Sequence, residues 1–374
     1  MIRWLRKAGP AAGALVYDLT AQTTLFAQNA ARPQPPASVE KLYTTVALLE
    51  RLSPNTRFHT TLLGSGHLGP GGVWHGNLYL HGGGDPTFGD GAFNAAWTRG
   101  LGPTANQLVA QLAIKRVTGH VFGDPSLFDS LPGAPNTGYG PDVGDLGGQL
   151  SALTFDHGAA PGRLSPAAFA AKQLVATMRG AHIAARAAKK TAVAPGNAHV
   201  LATVASPPLS VLLQLMDVNS DDFYAELLTK QLGVRFGGAG STAAGARVIA
   251  RTIAADGIHP RIVDGSGLSR ADHSTPGQVV ALLRRIWHTE TGRIVTGSLA
   301  VVGVSGTVAS MARHTPAQGR CFAKTGTLNY VSNLAGYCAA KGGHSLAFAF
   351  FIDGPANQAA ITWLGHLVAA VAGY

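Results

Sequence analysis

The chain has 374 residues, 46% of them apolar and only 13% charged, with a formal net charge of +10. That length allows one large domain or two ordinary ones, and the apolar share excludes an intrinsically disordered chain. The positive balance suits an anionic surface. The basic residues are scattered, however, and the densest runs, "RAAKK" (186–190) and "LLRR" (282–285), carry no interleaved aromatics, so no nucleic-acid partner is expected.

The opening, "MIRWLRKAGPAAGALVYDLT", has a basic flank like that of an export signal. Its apolar run is short, lacks a cleavage site and leads into a strand pattern, so an export signal is expected to be missing from this chain or absent from the gene. Residues 12–30 read as two short strands around a turn. The spacing of Leu42, Val46, Leu49 and Leu52 predicts a helix over about 39–52. From about 56 to 160 the chain becomes rich in glycine, short strands and turns, with helices expected near 92–100 and 104–115 and a long proline-marked loop over 131–148. Helical pattern returns at 165–180 and at 207–232, the latter broken at "VNS". Further helices are expected at 241–256, 275–288 and near 291–312. Strands at 320–326, 333–340 and "SLAFAFFID" follow, then a C-terminal helix. No apolar run reaches eighteen residues, so no transmembrane segment is expected. Two flanking parts, 1–60 and 205–374, are expected to form one α/β body around a strand-rich insert, 61–204.

Only Cys321 and Cys338 are present. If their strands form a hairpin near Asn329 and Tyr330 the two fall opposite each other, which leaves a cross-strand disulfide or two buried thiols open. His75 and His81, with Asp85 nearby, do not complete a ligand set, so no metal is expected.

Three short motifs carry chemistry. In "PASVEKLYTT", Ser38 and Lys41 are three apart, one helical face, so the amine can reach the hydroxyl. A serine needs a base to become a nucleophile, and lysine serves only when burial or a neighbouring cation keeps it partly neutral. The plainer reading is a helix N-cap, because such a pair arises by chance about once in a chain of this size. In "AKTGTLNYVSNLAGY", Lys324 can bind a carboxylate and help depress the amine of Lys41, while Gly326 admits a substrate backbone to the strand edge; a plain strand end is the alternative. In "VNSDD", Ser220 either relays a proton or caps a helix. Together, S-x-x-K, a serine triplet and K-T-G in this order form the set of the penicilloyl-serine enzymes.

The spacing selects among these enzymes, since Ser38 and Ser220 are too far apart for class A β-lactamases. With "GNLYLHGGGDPTF", "FGDPSLFDS", "SALTF", "NSDDFYAELL", "DGSGLSR" and "SGTVASMA", the sequence resembles the class C low-molecular-mass penicillin-binding proteins, a family of serine D-Ala-D-Ala carboxypeptidases and endopeptidases. The resemblance implies an α/β penicillin-binding domain with a central antiparallel sheet between helices, an insert after the active-site helix, and no cofactor. A third domain nested in long members is expected to be missing here. It implies that Ser38 is acylated by the penultimate D-Ala carbonyl of a peptidoglycan stem peptide and by β-lactams, with Lys41 as base and Ser220 relaying the proton. Lys324, Thr325 and Thr327 would hold the terminal carboxylate, and the Ser38 and Thr327 N–H groups would form an oxyanion hole. Arg270, Leu328 and Asp129 match pocket positions in the family, Asp129 facing a free amine of a diaminopimelate-type stem. The cell envelope is the implied location.

One position departs from the family pattern: the triplet ends in Asp222 rather than Asn. An ionised Asp only accepts hydrogen bonds, and it is expected to pair with Lys41, holding that amine charged and slowing the enzyme. An impaired envelope protein that only binds peptidoglycan, and a β-lactamase or esterase on this scaffold, are the alternatives.

Overall fold

The computed structural model describes residues 1–133 and 143–374; part of the loop expected at 131–148 lies outside these. Helix α1 (Ile2–Ala8) precedes a hairpin of β1 (Gly13–Asp18) and β2 (Thr23–Gln28). Asp18 shapes the turn by accepting from the N–H groups of Thr20 and Ala21, both at 2.9 Å. A 3₁₀ turn, Ala37–Glu40, leads into α2 (Lys41–Arg51). Strands β3 (His59–Gly69) and β4 (Val73–Gly82) form a long hairpin, followed by α3 (Gly91–Trp97), α4 (Ala105–Val109), β5 (Arg116–Val117), β6 (Val121–Asp124) and α5 (Val143–Leu146). Then come α6 (Pro166–Gly180), capped by Ser165 with proline at its first position, and β7 (His199–Ala205).

The remainder begins with α7 (Leu209–Asn219) and α8 (Asp222–Leu232), separated by Ser220 in the left-handed region and by Asp221, whose carboxylate caps α8. Next are α9 (Thr242–Ala254), α10 (Pro276–Ile286) and α11 (Glu290–Ser298), capped by Ser241, Thr275 and Thr289. The short β8 (Ala300–Val301), the hairpin β9 (Cys321–Leu328) and β10 (Val331–Ala339), then β11 (Ser345–Asp353) and α12 (Asn357–Ala372) complete the chain.

Six strands make an antiparallel sheet in the order β2-β1-β11-β10-β9-β8, so the first and last parts of the chain lie side by side. β11 is buried on both faces. Phe348 and Phe350 meet Leu364 and Val368 of α12, while Ala349 and Phe351 join Leu42, Val46, Val279 and Leu283 from α2 and α10. This explains its continuous apolar run. The second sheet has the order β5-β4-β3-β7, with β6 also paired to β4, and its own core around Leu62, Leu78, Leu80 and Leu174. All of its strands lie between His59 and Ala205.

Two expectations need correction. The helix expected near 291–312 ends at Ser298, where Leu299 turns extended (φ −76°, ψ 151°) and leads into β8; Gly303 and Gly306, with φ of 72° and 56°, then keep the chain from resuming a helix before the 3₁₀ turn Gly306–Val308. α4 stops at Val109 rather than near residue 115. Helix α1 was not foreseen: "IRWLRKA" is short, and it is held by the burial of Leu5 and by Trp4 stacking on His366 of α12 at 3.9 Å.

Cys321 and Cys338 face each other in the β9–β10 register and are disulfide-bonded. With the two cysteines 17 positions apart in sequence, opening this bond is expected to cost about 3 kcal/mol. Thermal unfolding with and without reductant checks this; the Cys321→Ala/Cys338→Ala variant should reproduce the reduced midpoint.

Candidate active site

The first element of the site is the turn that presents Ser38. It lies on the face of β9, directly over Gly326, where a Cβ would run into the Pro36 carbonyl oxygen and come within 3.0 Å of the Val39 nitrogen. Asn333, paired with Gly326 on β10, donates its amide to the carbonyls of Pro35 and Pro36, each at 2.9 Å, and accepts from the Ile352 N–H. Ala37 takes φ of 48°, an uncommon value for a residue with a side chain, immediately before Ser38. Gly326 thus gives room to the serine turn itself, a use that differs from the substrate approach expected from sequence.

Ser38 does not cap α2; neither the turn nor the helix has a side-chain cap at its start. Its Oγ instead accepts from Lys41 Nζ at 3.0 Å. Lys41, fully buried, also donates to Asp222 Oδ1 at 2.5 Å and to the Ser266 carbonyl at 2.7 Å. These three acceptors match the three protons of an ammonium group. The Ser266 carbonyl is aimed by Glu226, whose Oε1 accepts from the N–H groups of Gly265 and Ser266, both at 3.0 Å.

Ser220 is placed by the break between α7 and α8, with φ of 59°. Lys324 Nζ donates to Ser220 Oγ at 2.7 Å and to the Thr325 carbonyl at 3.0 Å. Thr325 Oγ1 meets Thr307 Oγ1 at 2.8 Å. Ser38, Ser220, Asp222, Thr325 and Thr327 line one cavity of about 270 Å³, walled on its apolar side by Met311, Ile361 and Leu364. β8 pairs with β9 only at Phe322 and Ala323, so among the described residues no strand flanks Lys324–Leu328 on the side away from β10. An extended peptide can lie along that edge.

Burial governs the electrostatics. Lys324 is pushed down to about 7, by burial first and by the Lys41 charge second, against the opposing pull of Asp217 and Asp222. The depression of Lys324 itself was not among the sequence expectations, because it arises first from burial. Asp217, fully buried at the end of α7, accepts from Thr45 and Ser298 at 3.0 and 2.7 Å. Burial raises its carboxyl to about 6, although Ser298, Lys324 and other neighbours pull it down. Asp222 is likewise raised by burial and lowered by Lys41.

The remaining residues singled out from sequence lie outside the cavity lining. Arg270 donates to the Asn329 carbonyl, tying the "DGSGLSR" loop to the β9–β10 turn, and the Leu328 carbonyl accepts from Asn357 at 2.8 Å. Asp129 is bonded to Lys230 at 2.5 Å, so a substrate amine would compete with an internal cation. Among the described residues, no group of three or more His, Cys, Asp or Glu could hold a metal ion. Sequence reasoning missed Asn333, Asp217, Thr307 and Glu226. Asn333, Thr307 and Glu226 stand within the quoted runs "AKTGTLNYVSNLAGY", "SGTVASMA" and "NSDDFYAELL", but nothing in those runs singles them out, and Asp217 lies outside them all.

A serine hydroxyl bonded to a buried lysine, with a second lysine-bonded serine lining the same cavity, is the kind of arrangement an active-serine acyl-transfer hydrolase needs. The chain matches the D-Ala-D-Ala carboxypeptidase 3 (S13) family over residues 6–161 and 162–367, and it belongs to that family. It is 30% identical to carboxypeptidase DacB of Mycolicibacterium smegmatis over 382 residues, covering 94% of this chain and 79% of the relative. It is 26% identical to a D-alanyl-D-alanine carboxypeptidase of an Actinomadura species, covering 98% and 82%. The fold is that of penicillin binding protein 4 from Haemophilus influenzae, with a TM-score of 0.83 at 20% identity over 100% of this chain and 99% of that one; the same protein is solved in complex with a β-lactam.

The seating of the serine turn yields a test. Gly326→Ala is expected to lower the rate of acylation by a fluorescent penicillin by at least about tenfold, since a small misplacement of a nucleophile is costly. Stopped-flow labelling checks this, with circular dichroism showing that the variant remains folded.

Proposed function

We propose that Ser38 is the nucleophile of this D-Ala-D-Ala carboxypeptidase, acting on peptidoglycan stem peptides outside the cytoplasmic membrane. The observation that carries the reading is the 3.0 Å bond from Lys41 Nζ to Ser38 Oγ, in a cavity also lined by Ser220, which accepts from the buried Lys324. Among the described residues no helix is long and apolar enough to cross a membrane.

The steps follow from these positions. Lys41, once neutral, takes the Ser38 proton as Oγ bonds to the penultimate D-Ala carbonyl carbon. The N–H groups of Ser38 and Thr327 hold the oxyanion. Collapse breaks the C–N bond, and the leaving D-Ala amine receives the Lys41 proton through Ser220 Oγ. Water then adds to the ester, gives a proton back to Lys41, and the Ser38 hydroxyl is restored. Lys324, Thr325 and Thr327 hold the terminal carboxylate. A β-lactam acylates the same serine, which is in keeping with the β-lactam complex of the Haemophilus influenzae protein. Intact-mass measurement after penicillin treatment tests the reading: one adduct, lost in Ser38→Ala, is expected, and an unmodified wild type overturns it.

Asp222 sets the speed. Its carboxylate, 2.5 Å from Lys41 Nζ, favours the ammonium form that cannot act as a base. Asp222→Asn is therefore expected to raise the acylation rate by roughly tenfold, a modest part of what a positioned base contributes. An unchanged or slower rate counts against the role. The same ion pair favours a second reading, a protein of this fold that binds peptidoglycan without turnover. Release of D-Ala from a synthetic stem peptide separates the two.

Binding should also depend on pH. The free protein loses the Lys324 proton near pH 7, and the substrate carboxylate is bound by the charged form. Affinity for a non-hydrolysable carboxylate-terminated peptide is thus expected to fall about tenfold per unit above pH 7, while an amide-terminated peptide shows no such loss. Calorimetric titration from pH 6 to pH 9 reads both.

A further inference from the structure

We infer that a basic groove in the second-sheet region, separate from the Ser38 cavity, binds the carboxylates of neighbouring stem peptides on polymeric peptidoglycan. The groove holds about 480 Å³ between one face of α6 and the extended segment 184–192. That segment is fixed to β6: the Val121 N–H donates to the Arg186 carbonyl and the Ala188 N–H to the Val121 carbonyl, both at 2.8 Å. The two walls are therefore held in place, and the floor is apolar, with Ala168, Val175 and Ala187.

Cations rim both walls, Lys172 and Arg179 from α6 and Arg186 and Lys189 from the segment. All four are exposed, and among the described residues none is paired with a carboxylate. Arg179 Nε is anchored on the Ala185 carbonyl at 3.1 Å, which fixes its guanidinium across the groove. The sequence shows the same bias, since the chain carries no Asp or Glu between Asp156 and Asp217. Four unpaired cations around an apolar floor attract an anionic chain, and two of them are arginines, whose fork matches a carboxylate.

The occupant follows from the proposed function, on which this inference rests. A stem-peptide carboxypeptidase works on a polymer whose uncut neighbours each end in a carboxylate. One stem occupies the Ser38 cavity while others along the strand meet the groove, so the second contact raises the local concentration of the first. Small peptides gain nothing from it.

The test uses Lys172→Glu/Arg186→Glu/Lys189→Glu, three exposed positions that leave the Arg179 anchor intact. A control reverses three exposed cations elsewhere, Arg247, Arg293 and Lys341. Co-sedimentation with purified, teichoic-acid-free peptidoglycan is expected to weaken about tenfold or more in the groove variant at about 0.05 M salt, and wild-type binding is expected to vanish near about 0.5 M. Hydrolysis of a soluble D-Ala-D-Ala peptide should stay within about twofold of wild type, since the groove shares no lining residue with the Ser38 cavity. Equal sedimentation of wild type and groove variant, an equal loss in the control, or binding that appears only when teichoic acid is present overturns the inference. If the wild type sediments but releases no D-Ala, the proposed function fails while the groove stands.

Discussion

Everything at the site depends on how closely the Pro36–Ser38 turn approaches β9. The carbonyl of Pro36 occupies the space where a Gly326 side chain would be, and the Asn333 amide binds that carbonyl and its predecessor from the next strand. A helix start is thereby fastened to a sheet by backbone groups, which move less than side chains. Ser38 is held at a fixed height above β9, whose Thr325 and Thr327 line the same cavity.

Closeness creates an electrostatic difficulty. Lys41 and Lys324 are both fully buried in one region, and two ammonium groups there repel each other and lose their hydration. The fold answers with two carboxylates, Asp217 below and Asp222 beside them. Lys324 shows the residual strain of this balance, as it sits near the point where either protonation state is accessible at neutral pH. Lys41 has no free N–H: Ser38 Oγ, Asp222 Oδ1 and the Ser266 carbonyl accept its three hydrogen bonds. The substitution of Asp for Asn in the serine triplet thus adds a negative charge where two positive ones already meet.

Glu226 shows how far the support extends. It lies one turn beyond Asp222 on α8 and orients the loop whose carbonyl faces Lys41. Burial pushes its own carboxyl up to about 7, with the Asp264 charge adding to the effect. Lys41 is therefore positioned in part by a group that does not line the cavity, a common feature of sites that hold one geometry.

The elements were largely legible because their signals are local. The helix after Ser38, the break at Ser220 and the β9–β10 hairpin all follow from periodicity, caps and turns within a few residues. The order of the three motifs could be read the same way and led to the family. What the sequence could not reveal lies in contacts between distant segments: Asn333 with Pro36 across 297 residues, Lys41 with Ser266 across 225, Thr45 with Asp217 across 172. It offered a possible use for Gly326 but no indication that the serine turn fills its space, and it gave no sign that burial would depress the Lys324 amine. Sequence by itself determined which side chains are available and on which elements they ride. Tertiary structure alone decided their spacing, burial and charge balance, because pKa and hydrogen bonding depend on distance and dielectric, and neither is encoded within a few residues of any one group.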